Sequence, residues 1–249
     1  MIDDPYFYFL AVIATLIVGI SKGGFGGGLA IVAVPIMSLA IDPILAAAII
    51  LPILCVMDLV SVKAYWKQWD TQLIKDLIPA AGLGILLGGL SFHFFNAGAI
   101  RLLLGILAVS FTLNYWFKSE VAKKQASKPL GWFWSTLTGF TSFIAHAGGP
   151  PINAYLLPLR LKKSVFQGTC VLLFTVINYL KLIPYYFLGQ LNSKNFETTL
   201  VLLPLAFIGV FIGIKLHKRI SEKLFYQLTY LFLFITGLKL LWDGIHSFM

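Results

Sequence analysis

The chain has 249 residues, of which 59% are hydrophobic and only 12% are charged, and its formal net charge is +9. Soluble domains carry about 25% charged residues, so this composition excludes an ordinary water-exposed surface. Apolar runs recur along the chain without the alternation of barrel strands, and with their flanks they approach the roughly 17–25 residues that a helix needs to cross a bilayer. We therefore predict an all-α, polytopic membrane protein.

Turns and charge clusters divide the chain into ten hydrophobic segments, five on each side of a polar, basic stretch. We assign 1–117 and 129–249 to two repeats and 118–128 to a cytoplasmic linker. The acidic start MIDDPYF lacks the basic region of a signal peptide, so we expect the first segment in the mature fold. The segments are 5–20, 29–41, 43–62, 77–95, 99–117, 130–145, 150–159, 164–188, 197–214 and 224–242.

Basic residues cluster in alternate loops. Four loops hold 14 of the 19 lysines and arginines, so by the positive-inside rule these loops face the cytoplasm and both termini lie outside. The positive charge thus indicates orientation in the cytoplasmic (inner) membrane rather than binding of nucleic acid. The loop cations are Lys63, Lys67, Lys75, Lys118, Lys123, Lys124, Lys128, Arg160, Lys162, Lys163, Lys215, Lys218, Arg219 and Lys223.

The two halves carry matching motifs. PAAGLGILLG (79–88) and PLAFIGVFIG (204–213) share the pattern P-x4-G-x3-G at an offset of 125 residues. GGFGGGLAIVAVP (23–35) and HAGGPPINAYLLP (146–158) each place a glycine-rich turn before a proline. Because each half has an odd number of segments, the second copy enters the membrane upside down, as in the inverted repeats of many secondary transporters. The alternative is a chance match between apolar segments rich in glycine and proline.

The glycine-rich turns predict two broken or re-entrant helical hairpins. Helices over 5–20 and 29–41 would rise only about 24 and 20 Å, short of the roughly 30 Å hydrocarbon core. The pair 130–145 and 150–159 is expected to enter from the opposite face, so that the two tips meet near the middle of the membrane. Unpaired N–H groups where a helix begins, together with Lys22, would favour an anion there.

The motifs that surround these turns are GISKGGFGGGLAIVAVP in the first half and GFTSFIAHAGGPPINAYLLP in the second. With these motifs the chain resembles the sulfite exporter TauE/SafE family. Members of that family are membrane permeases linked to sulfite, thiosulfate, sulfonates and other organosulfur anions, so the resemblance implies transport of such an anion. The second motif departs from the family's glycine triplet by carrying His146 and the pair Pro150–Pro151.

Polar residues inside apolar segments are the candidates for binding the anion. Lys22 lies away from the basic loops, and an intramembrane cation usually serves function, although snorkelling to an interface is the alternative. Close helix packing is the alternative for the glycines, and interhelical hydrogen bonding is the alternative for His146 and Asn153. The predicted binding residues are Ser21, Lys22, Gly23, Gly24, Gly26, Gly27, Gly28, His146, Gly148, Gly149, Asn153, Asn178 and Lys181.

Asp58 is the one acid within an apolar run. It is the candidate for coupling transport to a proton or a sodium ion, with an interfacial position near Lys63 as the alternative. The four histidines are scattered and no H-E-x-x-H or G-x-S-x-G motif occurs, so we expect no catalytic residue, metal or cofactor. The predicted function is secondary transport of a small sulfur-containing anion across a lipid bilayer by alternating access. The alternatives are an anion channel, an intramembrane enzyme and an assembly factor that transports nothing.

Overall fold

The computed structural model describes residues 2–27, 30–91, 97–117, 125–191 and 193–247, and within these ranges the chain forms helices without a β-strand. Six of the described helices are long and apolar enough to cross a membrane. The chain is therefore a polytopic helical membrane protein, as its composition predicts. The helices are α1 (Pro5–Gly24), α2 (Ala33–Met37), α3 (Pro43–Ala64), α4 (Thr71–Leu90), α5 (Ala97–Phe117), α6 (Lys128–Ala145), α7 (Gly149–Leu156), α8 (Lys163–Phe187), α9 (Ser193–Arg219) and α10 (Glu222–His246).

Each predicted segment contains a helix, and the differences lie at the helix ends. α4 begins at Thr71 rather than at residue 77, because the Asp70 carboxylate caps the helix by accepting hydrogen bonds from two backbone N–H groups of its first turn. α1 continues to Gly24 rather than ending at residue 20, so its 20 residues rise about 30 Å. The prediction that this arm is too short to cross the hydrocarbon core is therefore wrong, and Lys22 lies in the last helical turn.

The second arm of each predicted hairpin is short. α2 has 5 residues and α7 has 8, so they rise only about 8 and 12 Å. A short 3-10 helix adjoins each of them, Ala30–Val32 before α2 and Leu157–Leu159 after α7. α7 begins with a glycine and two prolines, which a helix accepts in its first turn because the N–H groups there have no intrahelical acceptor.

Small residues allow two pairs of helices to pack with their backbones in contact. α1 lies along α9, where a Cβ added to Gly19 would lie 2.9 Å from the Cα of Gly209. α4 lies along α6, where a Cβ added to Gly84 would lie 2.0 Å from the carbonyl oxygen of Thr136. Gly84 and Gly209 occupy the same position of the P-x4-G-x3-G motif. Both copies of that motif therefore serve close helix packing.

α3 and α8 pack against each other and connect the two closely packed pairs. α3 also contacts α9, and α8 also contacts α4, while α5 and α10 form a further pair. The packing is reciprocal: exchanging α1 with α6, α3 with α8, α4 with α9 and α5 with α10 maps the main helix contacts onto one another. The inner ends of α1 and α6 and the turns that follow them lie beside α3 and α8, and the polar side chains of the chain's interior gather there.

Candidate functional site

The first turn follows α1 and consists of Phe25, Gly26 and Gly27. Gly26 and Gly27 have φ values of 65° and 71°, a backbone conformation that glycine adopts readily and other residues rarely do. The N–H groups of Phe25 and Gly27 donate to the carbonyl oxygen of Ser21 at 2.8 and 3.1 Å. The prediction of unpaired N–H donors in this turn is therefore wrong for Phe25 and Gly27. Gly28 lies outside the described residues.

A glutamine from the other half of the chain holds this turn. The Gln167 side chain accepts a hydrogen bond from the Gly26 N–H at 2.5 Å and donates one to the Lys22 carbonyl at 2.6 Å. Gln167 is fully buried on α8. The sequence interpretation missed this residue, although it lies eleven positions before Asn178, about three helical turns, and therefore on the same face of α8.

The second turn follows α6 and begins at His146, which has a left-handed backbone with a φ of 50°. The N–H groups of His146 and Ala147 donate to the carbonyl oxygens of Ser142 and Thr141 at 3.1 and 3.2 Å, which closes the end of the helix. α7 then begins at Gly149. The His146 Nε2 lies 3.2 Å from the Ala47 carbonyl of α3, so this turn, like the first, is held by a helix from the other half of the chain.

Lys22 and Asp58 form a buried ion pair. The Lys22 amine donates to one carboxylate oxygen of Asp58, and the Asn178 amide donates to the other at 2.7 Å. Lys22 is 4% exposed and Asp58 is 1% exposed. Lys22 is therefore paired with a carboxylate inside the protein and does not extend to an exposed surface.

Lys181 is also buried, but its partners are neutral. Its amine donates to the carbonyl and the hydroxyl of Ser142, both at 3.1 Å, and lies 2.8 Å from His146 Nδ1. Because the Ala47 carbonyl can only accept, His146 carries its hydrogen on Nε2 and accepts from Lys181 through Nδ1. The three donors of the ammonium group are thereby used without a carboxylate.

The side chains around Lys22 and those around Lys181 border one small cavity of about 10 Å³. A cavity of that size holds about one water molecule. Five of the predicted binding residues line it, and Lys181 bonds to Ser142 and His146 in its wall. The lining residues are Lys22, Gly27, Ala30, Leu54, Ser142, His146, Gly149, Phe174 and Asn178.

The other predicted residues that the structure describes do not line the cavity wall. A Cβ added to Gly23 would lie 2.3 Å from the Val210 carbonyl oxygen, so this glycine permits α1 to approach α9. The carbonyls of Gly23 and Gly24 accept hydrogen bonds from the Tyr65 hydroxyl at 2.7 Å and from His217 Nδ1 at 3.0 Å. These contacts support the packing alternative for both glycines.

Asn153 and Gly148 belong to the second hairpin. Asn153 is fully buried on α7, and neither its side-chain oxygen nor its side-chain nitrogen has a hydrogen-bond partner among the described residues. A Cβ added to Gly148 would lie 3.0 Å from the Phe174 ring and from the Ser142 Cβ. Gly148 therefore keeps the second turn close to α8, and Asn153 has no interhelical bond of the kind considered from the sequence.

Formal charges around the cavity do not balance. Within the described residues, Asp58 is the one buried acid, whereas Lys22 and Lys181 are both buried. Lys22 is compensated by Asp58, so the positive charge of Lys181 remains uncompensated. An isolated buried charge is costly, and a small anion in the cavity would balance it.

The chain was compared with known families, curated proteins and solved structures. The family model described as Sulfite exporter TauE/SafE matches residues 11–240, a range that contains both turns and every residue of the cavity wall. The comparisons with curated proteins and with solved structures found no match. Members of the matched family are membrane transporters of sulfur anions. Because the match spans nearly the whole sequence, the chain belongs to the sulfite exporter TauE/SafE family.

Proposed function

We propose that the protein is a secondary transporter that moves a small sulfur-containing anion, such as sulfite, thiosulfate or an organosulfonate, by alternating access. The observation that carries the proposal is the buried excess of one lysine around a cavity between the two turns. Family membership supports the class of substrate. The channel alternative requires a continuous pore, whereas the described cavity holds only about one water molecule.

The cavity wall offers suitable donors for an oxyanion. Lys22 supplies an ammonium group, Asn178 an amide and Ser142 a hydroxyl at its surface. Gly149 begins α7, and the partial positive charge at the start of a helix favours an anion. Lys181 lies behind Ser142 and adds a full positive charge at short range. A sulfur oxyanion enters when the two turns separate, because the closed cavity is too small for it.

We also propose that residues 1–117 and 129–249 are two inverted repeats joined by the linker 118–128. The reciprocal helix packing supports this proposal. TLIVGISKGGFGGG and TLTGFTSFIAHAGG, which contain the two turns, align at an offset of 121 residues, so that Ser21 matches Ser142. The residues that hold the opposite turns, Ala47 and Gln167, are 120 positions apart. In this proposal α2 and α7 are the re-entrant arms of two broken hairpins.

The basic loops support an orientation in the cytoplasmic membrane with both termini outside. An impermeant reagent applied to intact cells should label tags at both ends and leave a cysteine placed in the linker 118–128 unlabelled. Labelling of the linker with protection of either terminus would contradict this orientation. Asp58 is the candidate for coupling, with a proton or a sodium ion as the co-transported ion.

Purified protein in proteoliposomes tests the proposed function. We expect saturable uptake of at least one anion from a panel of sulfite, thiosulfate, sulfate, taurine, sulfoacetate and phosphate. Preloading the vesicles with unlabelled substrate should accelerate entry of labelled substrate, because an alternating-access carrier exchanges anions and a channel does not. Uptake that never saturates and shows no exchange favours the channel, and absence of flux for every sulfur anion contradicts the proposal.

A further inference from the structure

Asp58 is paired with Lys22, the lysine that the proposed substrate would bind. Lys22 donates to one of its oxygens, and Asn178 donates to the other at 2.7 Å. Both donors also line the cavity. A carboxylate and a sulfur oxyanion present the same kind of acceptor, a negatively charged oxygen, to an ammonium or an amide group. The structure therefore shows Asp58 in the place of an anionic ligand on Lys22 and Asn178.

We propose that the anion replaces the Asp58 carboxylate on Lys22 and that Asp58 takes up one proton in the same step. This inference rests on the proposed function and names its coupling ion. A divalent anion such as thiosulfate, bound beside an ionised Asp58, would place three negative charges against the two buried ammonium groups of Lys22 and Lys181, at a cost that a low dielectric increases. A proton on Asp58 removes that repulsion. One anion and one proton then cross together, and Lys22 keeps its charge and its ion pair throughout.

The surroundings of Asp58 favour a proton over a sodium ion. Both carboxylate oxygens already accept hydrogen bonds, so a sodium ion would have to displace Lys22 or Asn178, whereas a proton needs only one oxygen. A protonated Asp58 can still accept from Asn178 and gains a hydrogen-bond donor of its own.

The groups that act on Asp58 come from three helices. Lys22 belongs to α1, Lys181 and Tyr179 belong to α8, and Cys55 belongs to α3 itself. His146, at the end of α6, contacts Lys181. α2 has no titratable residue, and those of α9 lie at its two ends. Asp58 is the one buried acid in the described part of the chain, which makes the predicted stoichiometry one proton per anion.

Counting protons during binding tests the inference. Thiosulfate carries no titratable proton near neutral pH, so any proton taken up on binding belongs to the protein. In weakly buffered detergent solution, wild-type protein should take up one proton per thiosulfate bound. Its affinity should fall about tenfold for each pH unit above the range in which free Asp58 titrates, because one proton is linked to binding. The Asp58→Asn variant should bind thiosulfate without proton uptake and with an affinity that does not change with pH.

Asp243→Asn is the matched control, because Asp243 also pairs with a lysine, Lys239, but lies on α10 outside the site. This variant should still take up one proton per anion. Wild-type binding without proton uptake overturns the inference whether or not the Asp58 variant folds, and proton uptake that persists in Asp58→Asn overturns it as well. Failure of the wild-type protein to bind thiosulfate, sulfite and sulfoacetate contradicts the proposed function instead.

Discussion

Each of the two turns ends a helix with a residue in a left-handed conformation, but the turns obtain their charge differently. The first turn follows the helix that carries Lys22, and that charge is compensated by Asp58. The second turn begins at a histidine in a left-handed conformation and receives its cation, Lys181, from α8. Lys181 contacts neutral groups only. Lys181, the buried cation without a counter-ion, therefore serves the second turn.

The supports of the two turns also differ. Gln167 holds the first turn through its side chain, whereas Ala47 holds the second through its backbone carbonyl. A mutation can remove the first support without altering the backbone, but no substitution removes a carbonyl. The two turns can therefore be perturbed separately. The four predictions below run from the largest expected effect to the smallest.

Replacing the two buried lysines should lower stability to different extents. Lys22→Met leaves the Asp58 carboxylate buried without its counter-ion, so we expect a loss of about 3–5 kcal/mol in the free energy of unfolding. Lys181→Met removes a charge that has no counter-ion, so its cost is limited to the lost hydrogen bonds to Ser142 and His146, and we expect about 1–3 kcal/mol. Chemical unfolding of both variants in the same detergent measures the difference.

The Lys22 effect has an internal control. Adding Asp58→Asn to Lys22→Met removes the orphaned carboxylate, so the double variant should recover most of the lost stability. Similar losses in Lys22→Met and Lys181→Met would show that the two lysines are equally compensated. That outcome would contradict the charge difference between the turns.

The two closely packed helix pairs should be equally intolerant of added side chains. A Cβ at Gly84 would lie 2.0 Å from the Thr136 carbonyl oxygen, and one at Gly23 would lie 2.3 Å from the Val210 carbonyl oxygen. We expect Gly84→Ala and Gly23→Ala each to cost about 1–3 kcal/mol of stability, because the backbones must move apart. Thermal unfolding of the purified variants checks this expectation.

Gly82→Ala is the matched control on α4, because the nearest atom to its Cβ would be the Leu180 Cδ1 at 3.9 Å. This variant should unfold within a few degrees of the wild-type protein. If only one of the two helix pairs is sensitive to alanine, the proposed equivalence of the halves loses its support from packing.

Removing Gln167 should loosen the first turn and leave the second intact. Gln167→Ala leaves the Gly26 N–H and the Lys22 carbonyl buried without partners, at a cost of about 1–3 kcal/mol. Hydrogen exchange at Gly26 should accelerate, while exchange at Ala147 in the second turn should stay unchanged. Gln167→Glu retains the acceptor for the Gly26 N–H. Hydrogen exchange at Gly26 in this variant should therefore be faster than in the wild-type protein and slower than in Gln167→Ala. Equal acceleration at both turns would mean that the turns open as one unit.

Asn153 should contribute the least to stability. Its amide is buried and has no partner among the described residues, so Asn153→Leu removes an unsatisfied polar group and keeps the branching of the side chain. We expect the free energy of unfolding to change by less than about 1 kcal/mol, or to increase. A loss of transport at unchanged stability would indicate that Asn153 contacts the anion. A large loss of stability would contradict the absence of a partner.

The sequence predicts the helices well because each apolar run is long and uninterrupted. The missed ends have local causes: Asp70 caps α4 earlier than hydropathy suggests, and α1 continues through Lys22 into the glycines. Hydropathy alone does not indicate a cap or the helical state of a glycine. The short second arms, by contrast, follow from glycine and proline patterns that are visible in the sequence.

The sequence indicates which charged residues belong to the candidate site but not which residues pair with them. Lys22, Asp58 and Lys181 stand out because charges are rare in apolar runs. Their partners depend on how the halves pack, since Lys22 and Asp58 are 36 residues apart and Asn178 is a further 120 residues along the chain. Lys22 was therefore expected to be available to an anion, whereas the structure pairs it with Asp58. Gln167 was missed because a glutamine close to a basic loop resembles an interfacial residue.

A titration of thiosulfate onto matched variants tests most directly the central claim that both turns hold one anion. With Asp58→Asn as the reference, adding Lys22→Met should weaken binding by tens-fold, because a charge-assisted hydrogen bond contributes about 1.5–3 kcal/mol. Adding Lys181→Met to the same reference should weaken binding to a similar extent, and the triple variant should not bind. Reference affinity in either double variant would contradict the claim, because the turn that this lysine serves would then take no part in holding the anion.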